Sequence, residues 1–198
     1  MLTRFGTLGS NVETLSTAHL GVYILCGGAS SRMGRCKATI EVDGQMMLAR
    51  ILETVSTLQS PIFLVGKSKQ KAVLSQYNTP WISDHTTTFH PLNGVVSALS
   101  HAKPLFENAL FLPCDTPFIS LDSIRKLLER VPSVAVDSAG QMHPLLLHVP
   151  VSWVDRANRY LENEASMKAF AEPSNLVELS HHCLRNLNNP SDLPSPIR

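Results

Sequence analysis

Residues 24–37 read Ile-Leu-Cys-Gly-Gly-Ala-Ser-Ser-Arg-Met-Gly-Arg-Cys-Lys, placing two adjacent glycines, two hydroxyls and three cations in one short loop. Gly27 and Gly28 allow a ligand to approach the backbone closely and allow positive φ. The hydroxyls of Ser30 and Ser31 and the freed amides suit an anion, and Arg32, Arg35 and Lys37 balance several negative charges. The chemistry is that of a phosphate cradle following the apolar run 21–25. It is neither of the two commonest phosphate loops. Gly34 is followed by Arg35 rather than by Lys-Ser/Thr, and the pair Gly27-Gly28 does not supply Gly-x-Gly-x-x-Gly. The plainer alternative is a Gly-rich turn with ordinary surface charge.

Three more segments carry polar groups in suggestive settings. Asp115 lies in Phe-Leu-Pro-Cys-Asp-Thr-Pro-Phe, a carboxylate at the end of an apolar run and held between Pro113 and Pro117. Its alternative is an exposed turn aspartate. Ser83-Asp84 is followed by Pro91-Leu92-Asn93-Gly94, with His90 just before the proline. Near the carboxyl end, Asn186 and Asn188 stand two apart, a spacing that puts both amides on one side of an extended segment. A turn rich in Asn and Pro is the alternative there. The histidines show no metal-ligand spacing.

The elements that must position these groups follow from hydrophobic periodicity. Residues 23–25, 62–65 and 109–112 are short apolar runs bounded by turn residues and predict buried strands. Met46, Met47, Leu48, Ile51, Leu52, Val55 and Leu58 recur at helical spacing, and Pro61 closes that region. Residues 92–101 predict a second helix opening at Asn93-Gly94. Ser120 is the expected N-cap of a helix over 121–131, with Ile124, Leu127, Leu128 and Val131 on one face. Farther on come the run 134–136, a turn at Gly140, and the dipeptide His143-Pro144 before a strand at 145–149. Residues 153–161 and 166–170 read as helices. Strand-helix alternation implies an α/β fold with a mostly parallel sheet and helices on both faces. Ligands in such sheets sit beyond the carboxyl ends of the strands. Gly27-Gly28 and Asp115 both fall there, which brings two distant segments to one rim.

The 198 residues suit one domain, expected over 21–198 behind a flexible amino-terminal arm, residues 1–20. Hydrophobic residues at 43% and charged residues at 17% describe a globular chain. A formal charge of +1 gives no global attraction for nucleic acid or an anionic membrane, so neither is an expected partner. No apolar run is long enough to span a bilayer. The four cysteines lack Cys-x-x-Cys spacing, which argues against zinc and secreted disulfides and favours a cytoplasmic location. Cys26 and Cys114 close apolar runs and read as packing residues. Cys36 sits among cations expected to lower its thiol pKa; it is either a reactive thiol or a small neutral replacement.

Residues 21–193 resemble the molybdenum cofactor guanylyltransferases, whose loop runs Leu-x-Gly-Gly-x-Ser-x-Arg-Met-Gly-x-Asp-Lys. Leu25, Gly27, Gly28, Ser30, Arg32, Met33, Gly34 and Lys37 match, with Cys36 in place of the family's aspartate. Pro-Cys-Asp-x-Pro around Asp115, Pro-Leu-x-Gly at 91–94 and Asn-x-Asn at 186–188 match as well. His90 stands where the family usually has glycine, and Ser166, Met167 and Lys168 occupy a region where it often has paired arginines.

The resemblance implies a three-layer Rossmann-like nucleotidyltransferase fold and transfer of GMP from GTP to the terminal phosphate of molybdenum-molybdopterin. Pyrophosphate would be released. It implies Arg32, Lys37 and Asp115 as catalytic groups and Asp115 as the ligand of Mg²⁺. Leu25, Cys26, Gly27, Gly28, Lys37, Asp84, Gly94 and Asp115 would contact the nucleotide. Asn186 and Asn188 would contact the pterin acceptor. Transient contact with molybdoenzymes or their chaperones would follow from the lability of the product. Guanine is favoured over cytosine because related cytidylyltransferases usually carry Ala-Gly at the Gly27-Gly28 position and lack Pro-Leu-x-Gly. The alternatives are a cytidylyl or sugar-phosphate nucleotidyltransferase of the same fold, or a nucleotide-binding homologue without catalysis.

Overall fold

The computed structural model describes residues 19–27, 36–84 and 90–193. Leu20, expected at the end of the arm, is instead the buried first residue of strand β1 (Leu20–Leu25). All six residues of β1 are buried, and their side chains alternate between two cores. Val22 and Ile24 enter one, Tyr23 and Leu25 the other, as required of a strand covered on both faces.

β1 pairs in parallel with β4 (Ile62–Gly66) on one side and β6 (Asn108–Pro113) on the other; β5 (Trp81–Ser83) extends the β4 side. β8 (Met142–Pro150) runs antiparallel to both β6 and β7 (Ser133–Val136), and β9 (Asn175–Glu178) pairs parallel to β7. Among the described residues the sheet has seven strands in the order β5-β4-β1-β6-β8-β7-β9. Helices α1 (Met47–Ser56), α2 (Ser68–Leu74) and α4 (Leu121–Leu128) cover the face of Val22 and Ile24. Helices α3 (Pro91–Ala102), α5 (Val154–Glu162) and α6 (Met167–Ala171) cover the face of Tyr23 and Leu25. This is the mostly parallel, three-layer α/β fold expected.

Local departures from expectation have local causes. α4 begins at the predicted cap, where Ser120 Oγ accepts from the Ser123 amide at 3.2 Å. It ends at Leu128, and Val131 lies outside it and is exposed. Pro132 follows, and the residue before a proline disfavours the helical region. His143-Pro144 does not precede a strand but lies within β8, in the stretch where the β7 register shifts and ladder pairing is interrupted. A proline is tolerated there because no ladder donor is required of it. α3 opens at Pro91 rather than Asn93-Gly94: His90 is its N-cap, its Nδ1 accepting from the Leu92 amide at 3.2 Å. A small hairpin, β2 (Glu41–Val42) and β3 (Gln45–Met46), precedes α1. Its turn residues Asp43 and Gly44 both have positive φ, which suits a two-residue connection.

Candidate active site

Backbone hydrogen bonds continue past the strand ends and place the chain at the carboxyl rim. Cys26 N donates to Val65 O at 2.7 Å, Cys114 N to Leu25 O at 3.1 Å, and Asp84 N to Gly66 O at 2.8 Å. Thus the segments following β1, β5 and β6 are tied to the same ladder. They enclose a cavity of about 330 Å³. Leu25, Cys26, Gly27, Lys37, Asp84, Gly94 and Asp115 all line it. Gly28 and Arg32, together with Ser30, Met33, Gly34 and Arg35, lie outside the described residues.

The charged centre of the rim is Lys37 with Asp115. Lys37 Nζ donates to Asp115 Oδ2 at 2.8 Å, with side-chain exposures of 20% and 17%. Lys37 also donates to Asn188 Oδ1. The carboxyl-terminal segment is fastened to the same place, because Leu187 N donates to Asp115 O at 3.0 Å and the Leu187 side chain is fully buried. Asp192 holds the segment in shape, its Oδ2 accepting the amides of Asn188 at 2.8 Å and Asn189 at 2.7 Å. Those amides keep the Asp192 carboxyl below its ordinary pKa, the Asn189 bond contributing most. Asn188 is therefore brought to the charged centre. Asn186 is exposed, on the other side of Leu187 in the chain.

The opposite end of the cavity contains residues that the sequence reading did not single out. Lys67 follows β4 and lies 3.5 Å, Nζ to Oδ2, from Asp84; the two side chains are 16% and 8% exposed. The signal was available, since Gly66-Lys67 closes an apolar run as Cys26-Gly27 does. Gly66 leaves needed space. A Cβ there would stand 3.1 and 3.2 Å from the Trp81 ring and 3.3 Å from Gly27 N. Leu145, on β8, and His90 add to the lining. His90 thus faces the cavity while capping α3.

The thiols behave differently from expectation at one position. Burial pushes the Cys36 thiol up, outweighing the Ala38 and Thr39 amides that favour the thiolate and the more distant Lys69. The expected lowering by cations is not what prevails. Cys26 and Cys114 are buried, as packing residues should be. A hydrogen bond with Cys26 and burial raise the Cys114 thiol well above its ordinary value.

A lysine and a facing carboxylate at one end of a slot that crosses the ends of four neighbouring strands form an arrangement suited to holding a nucleotide by its phosphates at one end and its base at the other. Residues 22–180 match the family described as the MobA-like NTP transferase domain. The chain is 31% identical to a probable molybdenum cofactor guanylyltransferase of Flavobacterium johnsoniae, over 68% of each chain. It is 28% identical to the molybdenum cofactor guanylyltransferase of Vibrio cholerae over 92% of this chain and 93% of that one. A probable molybdenum cofactor guanylyltransferase of Aquifex aeolicus is 30% identical over 63% of this chain, a match spanning only 60% of that relative. Among solved structures, molybdopterin-guanine dinucleotide biosynthesis protein A from Archaeoglobus fulgidus superposes with a TM-score of 0.68 at 22% identity, covering 87% of this chain and 94% of that one. A protein from Aquifex aeolicus superposes with a TM-score of 0.70 at 24% identity, covering 85% and 93%. The same fold occurs in 4-diphosphocytidyl-2C-methyl-D-erythritol synthase from Anaerococcus prevotii, with a TM-score of 0.65 at 16% identity and coverage of 90% and 94%. The chain belongs to the MobA-like NTP transferase family.

Proposed function

We propose that this protein transfers GMP from GTP to the terminal phosphate of molybdopterin carrying molybdenum, forming the guanine dinucleotide cofactor and releasing pyrophosphate. The observation that carries the proposal is the Lys37–Asp115 pair at 2.8 Å, which joins the loop after β1 to the turn after β6 at one rim. The names of the Flavobacterium and Vibrio relatives support guanylyl transfer as the reaction.

An oxygen of the acceptor's phosphate monoester attacks the α-phosphorus, and the bond to the bridging oxygen of pyrophosphate breaks. The attacking phosphate oxygen is already anionic, so no strong general base is required. Positioning and charge stabilisation then supply most of the rate. Lys37 offers an ammonium with three N–H donors and is aimed from two sides by Asp115 and Asn188. Arg32 would add positive charge at the triphosphate, and backbone amides from Gly27 onward would offer neutral N–H donors. Leu25, Cys26 and Gly94 shape the wall, and Asp84 lines the same cavity, where it would contact the nucleotide. Asn188, beside Lys37, and Asn186 would contact the pterin acceptor.

Asp115 is the residue that would hold Mg²⁺. Among the described residues no group of three or more His, Cys, Asp and Glu is placed to hold a metal. A single carboxylate completed by phosphates and water suits Mg²⁺, which rarely takes an all-protein cage. When bound, the ion would neutralise charge on the triphosphate and on departing pyrophosphate. Transfer of the product to a molybdoenzyme or its chaperone belongs to the same proposal. No helix among the described residues is long and apolar enough to cross a membrane.

The test supplies purified protein with GTP, Mg²⁺ and molybdenum-loaded pterin and measures pyrophosphate together with dinucleotide formation. Asp115→Asn should lower turnover by ~10²–10³. Nucleotide binding without pyrophosphate release would favour a non-catalytic homologue, and preference for CTP would replace guanylyl with cytidylyl transfer.

A further inference from the structure

The cavity is asymmetric in a way that bears on base choice. Its rim crosses the strand order β6-β1-β4-β5. Neighbouring strands lie about 4.8 Å apart, so Lys67 after β4 is about 10 Å from the strand of Asp115, and Asp84 after β5 is about 14 Å from it. Phosphates docked near Lys37 and Asp115 leave a ribose and base to extend towards Lys67 and Asp84. Leu25 and Val65, from the two strands between those ends, line the cavity together with Pro91, and Gly66 contributes no side chain. These apolar walls suit the faces of a flat ring.

At the far end, Lys67 and Asp84 place a donor-only ammonium beside an acceptor-only carboxylate. Both backbones are anchored. Lys67 is the N-cap residue of α2, and its amide donates to Gln70 Oε1 at 3.1 Å. The Asp84 amide donates to Gly66 O. A sequestered ion pair is a poor source of stability, because desolvation offsets much of its attraction. A recognition role accounts for the pair better.

We infer that Lys67 is a specificity-determining residue of the nucleotide site, donating to O6 of guanine while Asp84 accepts from N1–H and the 2-amino group. The inference rests on the guanylyl reading above and names the residue that enforces it. Guanine presents one acceptor next to two donors, which is the complement of an ammonium beside a carboxylate. Cytosine presents a single amino donor with two acceptors, which leaves part of the Asp84 carboxylate unsatisfied. Leaving a buried charged partner unpaired is what rejects a near-isostere.

The test measures dissociation constants by calorimetry for GTP, ITP, CTP and 6-thioguanosine triphosphate. The last keeps both donors of guanine but replaces O6 by sulfur, a weak acceptor. Wild-type protein should bind the thio analogue about tenfold more weakly than GTP, the effect of one hydrogen bond to a charged group. Lys67→Met should weaken GTP by a similar factor and abolish the difference between GTP and the thio analogue. It should preserve the preference of GTP over ITP, which reports on Asp84. Lys67→Arg should retain the preference for O6. Equal wild-type binding of GTP and the thio analogue overturns the inference whether or not Lys67→Met folds; so does unchanged discrimination in folded Lys67→Met. A wild-type preference for CTP instead overturns the guanylyl reading itself, so the two failures are distinguishable.

Discussion

Replacing Lys37 with methionine removes the ammonium that links Asp115 to Asn188 while keeping most of the side-chain volume. Two unit charges 2.8 Å apart attract by about 6 kcal/mol at an effective dielectric constant of 20, before desolvation is charged against them. Both side chains retain about a fifth of their exposure, so the net effect lies between a surface pair, at most about 1 kcal/mol, and a broken buried pair, about 3–5 kcal/mol. A loss of about 2 kcal/mol is expected, which for a chain of this size lowers Tm by about 4–8 °C. Turnover should fall by ~10²–10³. The assay is a double-mutant cycle of Lys37→Met, Asp115→Asn and both together, read by thermal melting and pyrophosphate release. The double variant should recover part of the lost stability, because a neutral amide tolerates the missing cation, yet it should remain as inactive as either single variant. If Lys37→Met melts at or above the wild-type temperature, or if the stability losses of the two single variants simply add, the pair is not the organising contact of the site.

Acid should destabilise the fold. Burial holds His101, His143 and His148 below the ordinary value of 6.5, so the unfolded chain binds more protons as pH falls through about 6.5. The urea midpoint should drop between pH 7.5 and 5.5. The drop should be smaller in His148→Gln, whose imidazole Nδ1 otherwise bonds the Arg130 carbonyl at 2.9 Å; a midpoint that is flat or rises towards acid contradicts this. Gly66→Ala should cost about 1–3 kcal/mol and weaken GTP binding, since its Cβ meets the Trp81 ring and Gly27 N at 3.1–3.3 Å. Calorimetry showing wild-type affinity would mean that the cavity floor yields without penalty. Cys36 should react with a maleimide at pH 7.5 more slowly than free cysteine, because burial raises its thiol pKa. A rate above that of free cysteine would restore the view of Cys36 as an activated thiol.

The strands and covering helices were legible because their signals are local. β1, β4 and β6 are apolar runs that bury both faces, and α1 repeats its apolar residues at helical spacing. β5 and β9 carried no such signal, being three and four residues long and lying at the two edges of the sheet. α2, seven residues long, was missed as well, and with it the placement of Lys67. The extent of α4 was overestimated because a suitable apolar residue, Val131, occurs at the right spacing before Pro132. The Cys36 expectation failed because nearby cations in sequence say nothing about desolvation, which depends on what packs around the sulfur.

From its residues alone, this chain specified a mostly parallel α/β sheet, a loop rich in glycine and cations after the first strand and the carboxylate of Asp115 at a strand end. Each depends on neighbours a few positions away, through periodicity, glycine content and turn chemistry. What tertiary structure decided was the partnerships: Lys37 with Asp115 across 78 positions, Lys37 with Asn188 across 151, and Lys67 with Asp84 after two adjacent strands. Those contacts follow from strand order and from where the carboxyl-terminal segment docks. Both are settled by burying side chains from distant parts of the chain, so no short window of sequence contains them.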